Sequence, residues 1–248
     1  MRGIELRNAR VRHGPVEALH GVTLAAPAAT VTVLLGANGS GRTTALRALA
    51  GTLPLTTGAV LRDGEDITRR PPHERAARGL TFVPDRRAVF PTLMVAENLE
   101  LSGTRADTAR ALDAYPELRP LLSRPAGTLS GGEQRMLALS RALRKPHSHH
   151  ETPVILIDEP TQGMSPQVAA RTYALLTALT TLPACVVLAE QRLPPALRAN
   201  AGRAAGTPAL RANAGRAAGT AGTAVLVHEL RRGTVVFSGE AAELSPSG

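Results

Sequence analysis

Residues 129–161 open with Leu129-Ser130-Gly131-Gly132-Glu133-Gln134 and close with Val154-Ile155-Leu156-Ile157-Asp158-Glu159-Pro160-Thr161. Between these ends Met136, Leu137, Leu139, Ala142 and Leu143 recur at helical spacing, which predicts a helix leading from the glycine pair towards a strand. A serine before two glycines at a helix start presents a hydroxyl and free backbone N–H groups, donors suited to a phosphate. The apolar run ending in Asp158-Glu159 reads as a buried parallel strand that delivers two carboxylates to its C-terminal end. In α/β sheets that edge is where ligands bind.

A second glycine-rich stretch lies upstream. Val31-Thr32-Val33-Leu34-Leu35 predicts a short buried strand that enters Gly36-Ala37-Asn38-Gly39-Ser40-Gly41-Arg42-Thr43-Thr44, followed by an apolar helix over 45–50. Glycine, four residues, glycine, a basic residue and Ser/Thr between strand and helix is the phosphate-loop pattern. The glycines let backbone N–H groups close around phosphates, and the helix N-terminus adds its dipole. Arg42 stands where the pattern has lysine. Lysine offers a compact charge, whereas guanidinium is larger, planar and forked. Two readings follow: arginine does the same work, or hydrolysis is weakened while nucleotide binding is kept. Complete loss of the contact would cost roughly 10²–10³ in rate.

Composition narrows the function classes. At 248 residues the chain is long enough for one large domain with a sizeable core. With 43% hydrophobic but only 2% aromatic residues, that core is aliphatic. No apolar run approaches the ~18 residues of a spanning helix, and the first residues form no apolar signal region. The formal charge is +9, yet Lys145 is the sole lysine and the other basic residues are arginines scattered along the chain. That distribution is a compositional bias, not a nucleic-acid patch, and nucleic acid is not expected as a partner. A basic surface still favours an anionic membrane face. Cys185 sits in an apolar run and reads as a buried strand residue.

Phosphate loop, 129–134 stretch and Asp158-Glu159 strand, in this order, resemble the ATP-binding cassette (ABC) transporter ATPases. Val83-Pro84-Asp85-Arg86-Arg87, Tyr115-Pro116 and Glu190-Gln191 are similar to the branched-chain amino-acid importer subgroup. The resemblance covers 4–244. It implies an α/β fold: a P-loop NTPase (RecA-like) core over 1–84 and 134–248, with an antiparallel β edge, and a small helical subdomain over 85–133. It also implies ATP and Mg²⁺ as cofactors. Residues 36–44 (Gly36, Ala37, Asn38, Gly39, Ser40, Gly41, Arg42, Thr43, Thr44) would wrap the phosphates, with Thr43 and Asp158 serving Mg²⁺. Glu159 would polarise the attacking water, roles that suit phosphoryl transfer. Asp85 holds the Q-loop position, usually Gln, and Gln191 holds the switch position, His in most cassettes. Ser130, Gly131, Gly132 and Glu133 would touch the γ-phosphate bound to an opposite subunit. His13 falls near the aromatic that stacks on adenine; a plain turn residue is the other reading.

The implied partners are transmembrane permease subunits, a second ABC ATPase subunit (the same chain or a paralogue) and, indirectly, a solute-binding protein. The implied location is the cytoplasmic face of the cell membrane. On this reading the chain is the ATP-hydrolysing subunit of an importer for small solutes of the branched-chain amino-acid type. A weakly hydrolysing, nucleotide-gated subunit paired with a competent cassette is the alternative. A cassette acting on nucleic acid would carry a second cassette or long coiled-coil insertions, and this chain has neither.

Two stretches depart from the family pattern. Residues 195–207 recur residue for residue as 208–220, which reads as an in-frame duplication with one copy surplus. The linker after the signature helix holds His147, His149, His150 and Glu151. A solvated loop is expected there rather than a metal site, because no second ligand cluster accompanies it.

Overall fold

The structure, a computed structural model, describes residues 1–86, 88–101, 103–142, 152–198 and 224–244. The histidine linker with Glu151, Arg87, and the duplicated segment from residue 199 onward lie outside these residues.

Among the described residues ten strands form two sheets. β1 (Gly3–His13), β2 (Val16–Pro27), β4 (Thr57–Arg62) and β5 (Glu65–Asp66) make a four-stranded antiparallel sheet in the order β2-β1-β4-β5. The others are β3 (Thr30–Leu35), β6 (Leu80–Val83), β7 (Val154–Asp158), β8 (Cys185–Glu190), β9 (Val225–Arg231) and β10 (Thr234–Glu240). They form a six-stranded sheet ordered β10-β9-β3-β8-β7-β6. Within it β9, β3, β8, β7 and β6 run parallel, and β10 closes one edge antiparallel to β9.

The parallel strands are apolar on both faces, as a sheet covered on both sides demands. Alternation sorts their side chains. Val31, Val33, Ile155, Ile157, Val186, Leu188, Val225 and Val227 face one core, while Leu34, Val154, Leu156, Cys185 and Val187 face the other. The second core also receives Ala45, Leu46, Ala48 and Leu49 of α1 (Arg42–Ala50) together with Ile4, Leu6, Val11 and Leu24 of the antiparallel sheet. Helix α1 is thus held between the two sheets, and alanine on its faces permits the close approach.

The first core is covered by α3 (Val95–Glu100), α4 (Arg105–Ala114), α5 (Gly131–Ala142) and α6 (Pro166–Ala178), while α2 (Pro72–Ala77) precedes β6. Helix α6 is capped by Ser165 Oγ accepting from Val168 N at 3.4 Å. Its C-terminal end tightens into a 3₁₀ turn at Leu179–Thr181. Tyr115 is fully buried among these helices, its hydroxyl 3.0 Å from Thr172 Oγ1 on α6. Among the described residues no helix is long and apolar enough to cross a membrane.

Cys185 lies in β8 as a packing residue. Its thiol donates to Ala26 O at 3.1 Å, and burial pushes its pKa up to about 12, so it stays protonated.

Candidate nucleotide site

Four parallel strands deliver their C-terminal ends to one edge of the six-stranded sheet. β3 leads into Gly36, β6 into Pro84-Asp85, β7 into Asp158-Glu159 and β8 into Glu190-Gln191. A pocket on that edge is lined by residues 37–44 together with Ala18, Asp85, Arg86, Asp158, Glu159, Gln162 and Gln191.

The loop needs glycine for room. A Cβ on Gly36 would meet Leu230 O and Ser40 Oγ, each at 2.4 Å. Gly41 caps α1 at φ +105°, a left-handed conformation that opens the first turn. Intrahelical bonding begins only with Ala45 N on Gly41 O at 2.9 Å, so the N–H groups before it are free of helical acceptors. Backbone bonds brace the loop: Gly36 N donates to Glu190 O at 3.2 Å, Ser40 N to Ala37 O at 3.0 Å and Gly233 N to Ser40 O at 2.9 Å.

Side chains converge above it. Arg42 is 5% exposed and its Nη2 reaches Glu159 Oε1 at 3.5 Å. Gln191 Nε2 donates to that same Oε1 at 3.0 Å. Glu159 follows β7 with φ +48°, an uncommon conformation for a non-glycine residue and of the kind that collects at functional sites. Asp158 is 1% exposed; burial pushes its carboxyl up, and a hydrogen bond from the Thr43 hydroxyl opposes that shift. Asp85 pairs with Arg47 at 3.7 Å and with Arg86 at 3.8 Å.

Three buried polar atoms here have no partner among the described residues: Ser40 Oγ, Arg42 Nη1 and Asp158 Oδ2. An unpartnered buried polar atom ordinarily costs about 1–3 kcal/mol. The donor set fits an anion against Ser40, Arg42 and the backbone N–H groups, beside a cation against Asp158 and Thr43. Phosphate oxygens with a divalent metal supply both.

The signature residues stand apart from this pocket. Ser130 and Glu133 cap α5 reciprocally, Ser130 N to Glu133 Oε2 at 2.7 Å and Glu133 N to Ser130 Oγ at 3.3 Å. Gly132 packs on the backbone of Gly163, where a Cβ would meet the carbonyl oxygen at 2.4 Å. Gly131 opens on an adjoining cleft that shares Asp85, Arg86 and Gln162 with the phosphate side. His13 is exposed at the end of β1 and does not line the pocket.

The structure adds residues that motif reading passed over. Gln162 and Arg86 line the pocket. Arg135 on α5 is 5% exposed and donates to Pro84 O at 2.6 Å and to Asp158 O, joining three motif-bearing segments. The available signal was an arginine set beside Met136 and Leu137 in the apolar stretch of that helix.

Comparisons with known proteins agree with this geometry. The ABC transporter family profile matches residues 19–162. The chain is 37% identical over 176 residues to the probable branched-chain amino acid transport ATP-binding protein LivF of Archaeoglobus fulgidus, covering 68% of this chain and 72% of that one. It is 32% identical over 193 residues to the high-affinity branched-chain amino acid transport ATP-binding protein BraG of Pseudomonas aeruginosa, covering 75% and 81%. Its fold is similar to a nucleotide-free ATP-binding cassette from an ABC transporter, with TM-score 0.73, 21% identity and coverage of 97% and 92%. It is also similar to a dimeric cassette in a post-hydrolysis state with ADP and phosphate, with TM-score 0.74, 20% identity and coverage of 97% and 100%. With a profile match over more than half its length and a phosphate loop set against Asp158 and Glu159, the chain belongs to the ABC transporter family, as one of its ATP-binding, ATP-hydrolysing cassettes.

Proposed function

We propose that this cassette powers an importer of small solutes, of the branched-chain amino-acid class, by hydrolysing ATP at the pocket on the C-terminal edge of the parallel sheet. The supporting observation is the meeting of Arg42, Glu159 and Gln191 over the phosphate loop, beside buried polar atoms of Ser40 and Asp158 that have no partner among the described residues. The solute class rests on the similarity to LivF and BraG.

In this reading the N–H groups of 37–44, with Ser40 and Arg42, bind the triphosphate. Glu159 accepts a proton from the attacking water, and Gln191 orients that carboxylate while offering its amide to phosphate oxygen. Asp85 faces the same pocket from β6. Thr43 and Asp158 would hold Mg²⁺, which supplies neutralisation of phosphate charge. Ser130, Gly131, Gly132 and Glu133 serve the nucleotide of a second cassette, since they do not line this chain's own phosphate pocket. His13 would flank the adenine at the family's stacking position. The cassette works with a second ABC ATPase subunit and with transmembrane permease subunits at the cytoplasmic face of the membrane, and indirectly with a solute-binding protein. The helical subdomain over 85–133 is the part that meets the permease, and the core is 1–84 with 134–248.

The test is Mg²⁺-dependent phosphate release by the purified chain beside Glu159→Gln. Release that falls by roughly 10²–10³ in the variant, with ATP still bound, supports the reading. A wild-type chain that binds ATP and releases nothing supports the second reading, a nucleotide-gated subunit relying on a competent partner, to which the Arg42–Glu159 contact already points.

A further inference from the structure

Helix α6 carries a buried hydroxyl that the reaction as described does not use. Tyr173 is 6% exposed, and its OH donates to Glu190 Oε1. With that proton committed, Thr161 Oγ1 must donate to the tyrosine oxygen, 3.1 Å away. Thr161 lies two residues past Glu159, and Glu190 lies one residue before Gln191. Glu190 also holds the loop, its carbonyl accepting from Gly36 N at 3.2 Å.

We propose that Tyr173 is a positioning residue for hydrolysis: by tying Thr161 to Glu190 it sets the separation between Glu159 and Gln191, whose side chains meet at 3.0 Å. The inference rests on the proposed roles of Glu159 and Gln191. Its physical basis is that a catalytic carboxylate works only within a narrow geometry, and that geometry is held by the groups behind it. Glu159 and Gln191 sit on separate loops after β7 and β8. Their backbones are joined by Glu159 N on Ala189 O at 3.0 Å, which fixes the strand ends but leaves both side chains their rotamers. The Tyr173 bridge adds a second tie on the other side of these loops. Burial raises the Glu190 carboxyl to about 7, and the Tyr173 hydroxyl opposes that rise, so the bond stabilises a charge the fold otherwise disfavours.

Tyr173→Phe keeps the ring and removes only the bridge. The experiment is a double-mutant cycle of Tyr173→Phe with Gln191→Ala, measuring kcat, KM for ATP and thermal stability. The expected result is a loss of about tenfold in kcat with KM changed by less than about twofold, and no further loss when Gln191 is already alanine. Equal losses in both backgrounds, or an unchanged kcat in Tyr173→Phe, overturn the proposal. A second measurement does not depend on hydrolysis. The Gln191 side-chain amide resonances, assigned by their disappearance in Gln191→Ala, should shift or broaden in Tyr173→Phe. Unmoved resonances refute positioning. A wild-type chain without hydrolysis instead removes the catalytic reading, and the resonances then decide the bridge alone.

Discussion

Arg42 Nη2 lies 3.5 Å from Glu159 Oε1, so the basic residue of the phosphate loop is paired with the carboxylate assigned to the attacking water. The two side chains are 5% and 19% exposed, which leaves little solvent to screen them. Gln191 holds the same oxygen from the other side. A guanidinium in this position draws on the base it should leave free, while its Nη1 has no partner among the described residues.

Arg42→Lys is expected to raise the rate of ATP hydrolysis by about tenfold and to change ATP affinity by less than about threefold, because an ammonium is a compact charge without a second arm to hold Glu159. Phosphate-release kinetics and equilibrium ATP binding on both forms check it. Equal rates would mean that arginine performs the lysine's task unaided.

Ala29, in the turn between β2 and β3, is exposed and has φ +58°. An L-residue with a Cβ pays about 1 kcal/mol for that conformation, and glycine does not. Ala29→Gly should therefore stabilise the chain by about 0.5–1 kcal/mol, a rise of about 2–4 °C in Tm, with ATP binding unaltered. Thermal unfolding measures it, and a lowered Tm would show that unfolded-state entropy outweighs the strain.

Gly132 and Gly163 touch backbone to backbone, joining the start of α5 to the turn after Asp158-Glu159. A methyl at 132 would stand 2.4 Å from Gly163 O, and main chain cannot swing aside as a flexible side chain would. Gly132→Ala is expected to cost about 1–3 kcal/mol in urea unfolding. ATP binding to the phosphate loop should persist, since the contact lies outside that pocket. An unchanged urea midpoint would mean the turn at Gly163 relocates freely.

Glu190 makes stability depend on pH. Burial raises its carboxyl from the ordinary 4.5 to about 7. Between those values the folded chain keeps a proton that the unfolded chain has released, so stability falls as pH rises. The penalty is absent below 4.5 and complete above about 7. Each unit of separation is worth about 1.4 kcal/mol. His228 tilts the other way: burial lowers its pKa, and protonating it in acid is unfavourable to the fold. It is common to wild type and variant, so it cancels in a difference. The stability of Glu190→Gln relative to wild type should grow across this window by an amount on the order of 2 kcal/mol. Chemical unfolding at several pH values checks this, and a flat difference would place Glu190 in solvent-like surroundings.

Much of this molecule is local, and local features are readable. The phosphate loop is a run of consecutive residues whose glycines, strand and helix announce themselves by spacing. The Asp158-Glu159 strand is likewise marked by an unbroken apolar run before two acids. Both depend on backbone conformations and burial patterns that neighbours in the chain dictate. The paired copies at 195–207 and 208–220 needed nothing more than the letters.

Tertiary structure decided what distant residues do to each other. Arg42 and Glu159 are 117 positions apart, and their contact exists because parallel pairing sets the ends of β3 and β7 on one edge with β8 between them. Arg135 appears in sequence as one of several polar letters on an amphipathic helix, and only packing aims it at the carbonyls of Pro84 and Asp158. Tyr173 appears as an aromatic core residue, and only burial beside Glu190 gives its hydroxyl a task. His13 could be matched to a family position, but its exposure at the tip of β1 was settled by the hairpin. Spacing along the chain encodes torsion preferences and which face a residue takes, whereas side-chain meetings across strands are set by register and sheet order, which no short window of sequence contains.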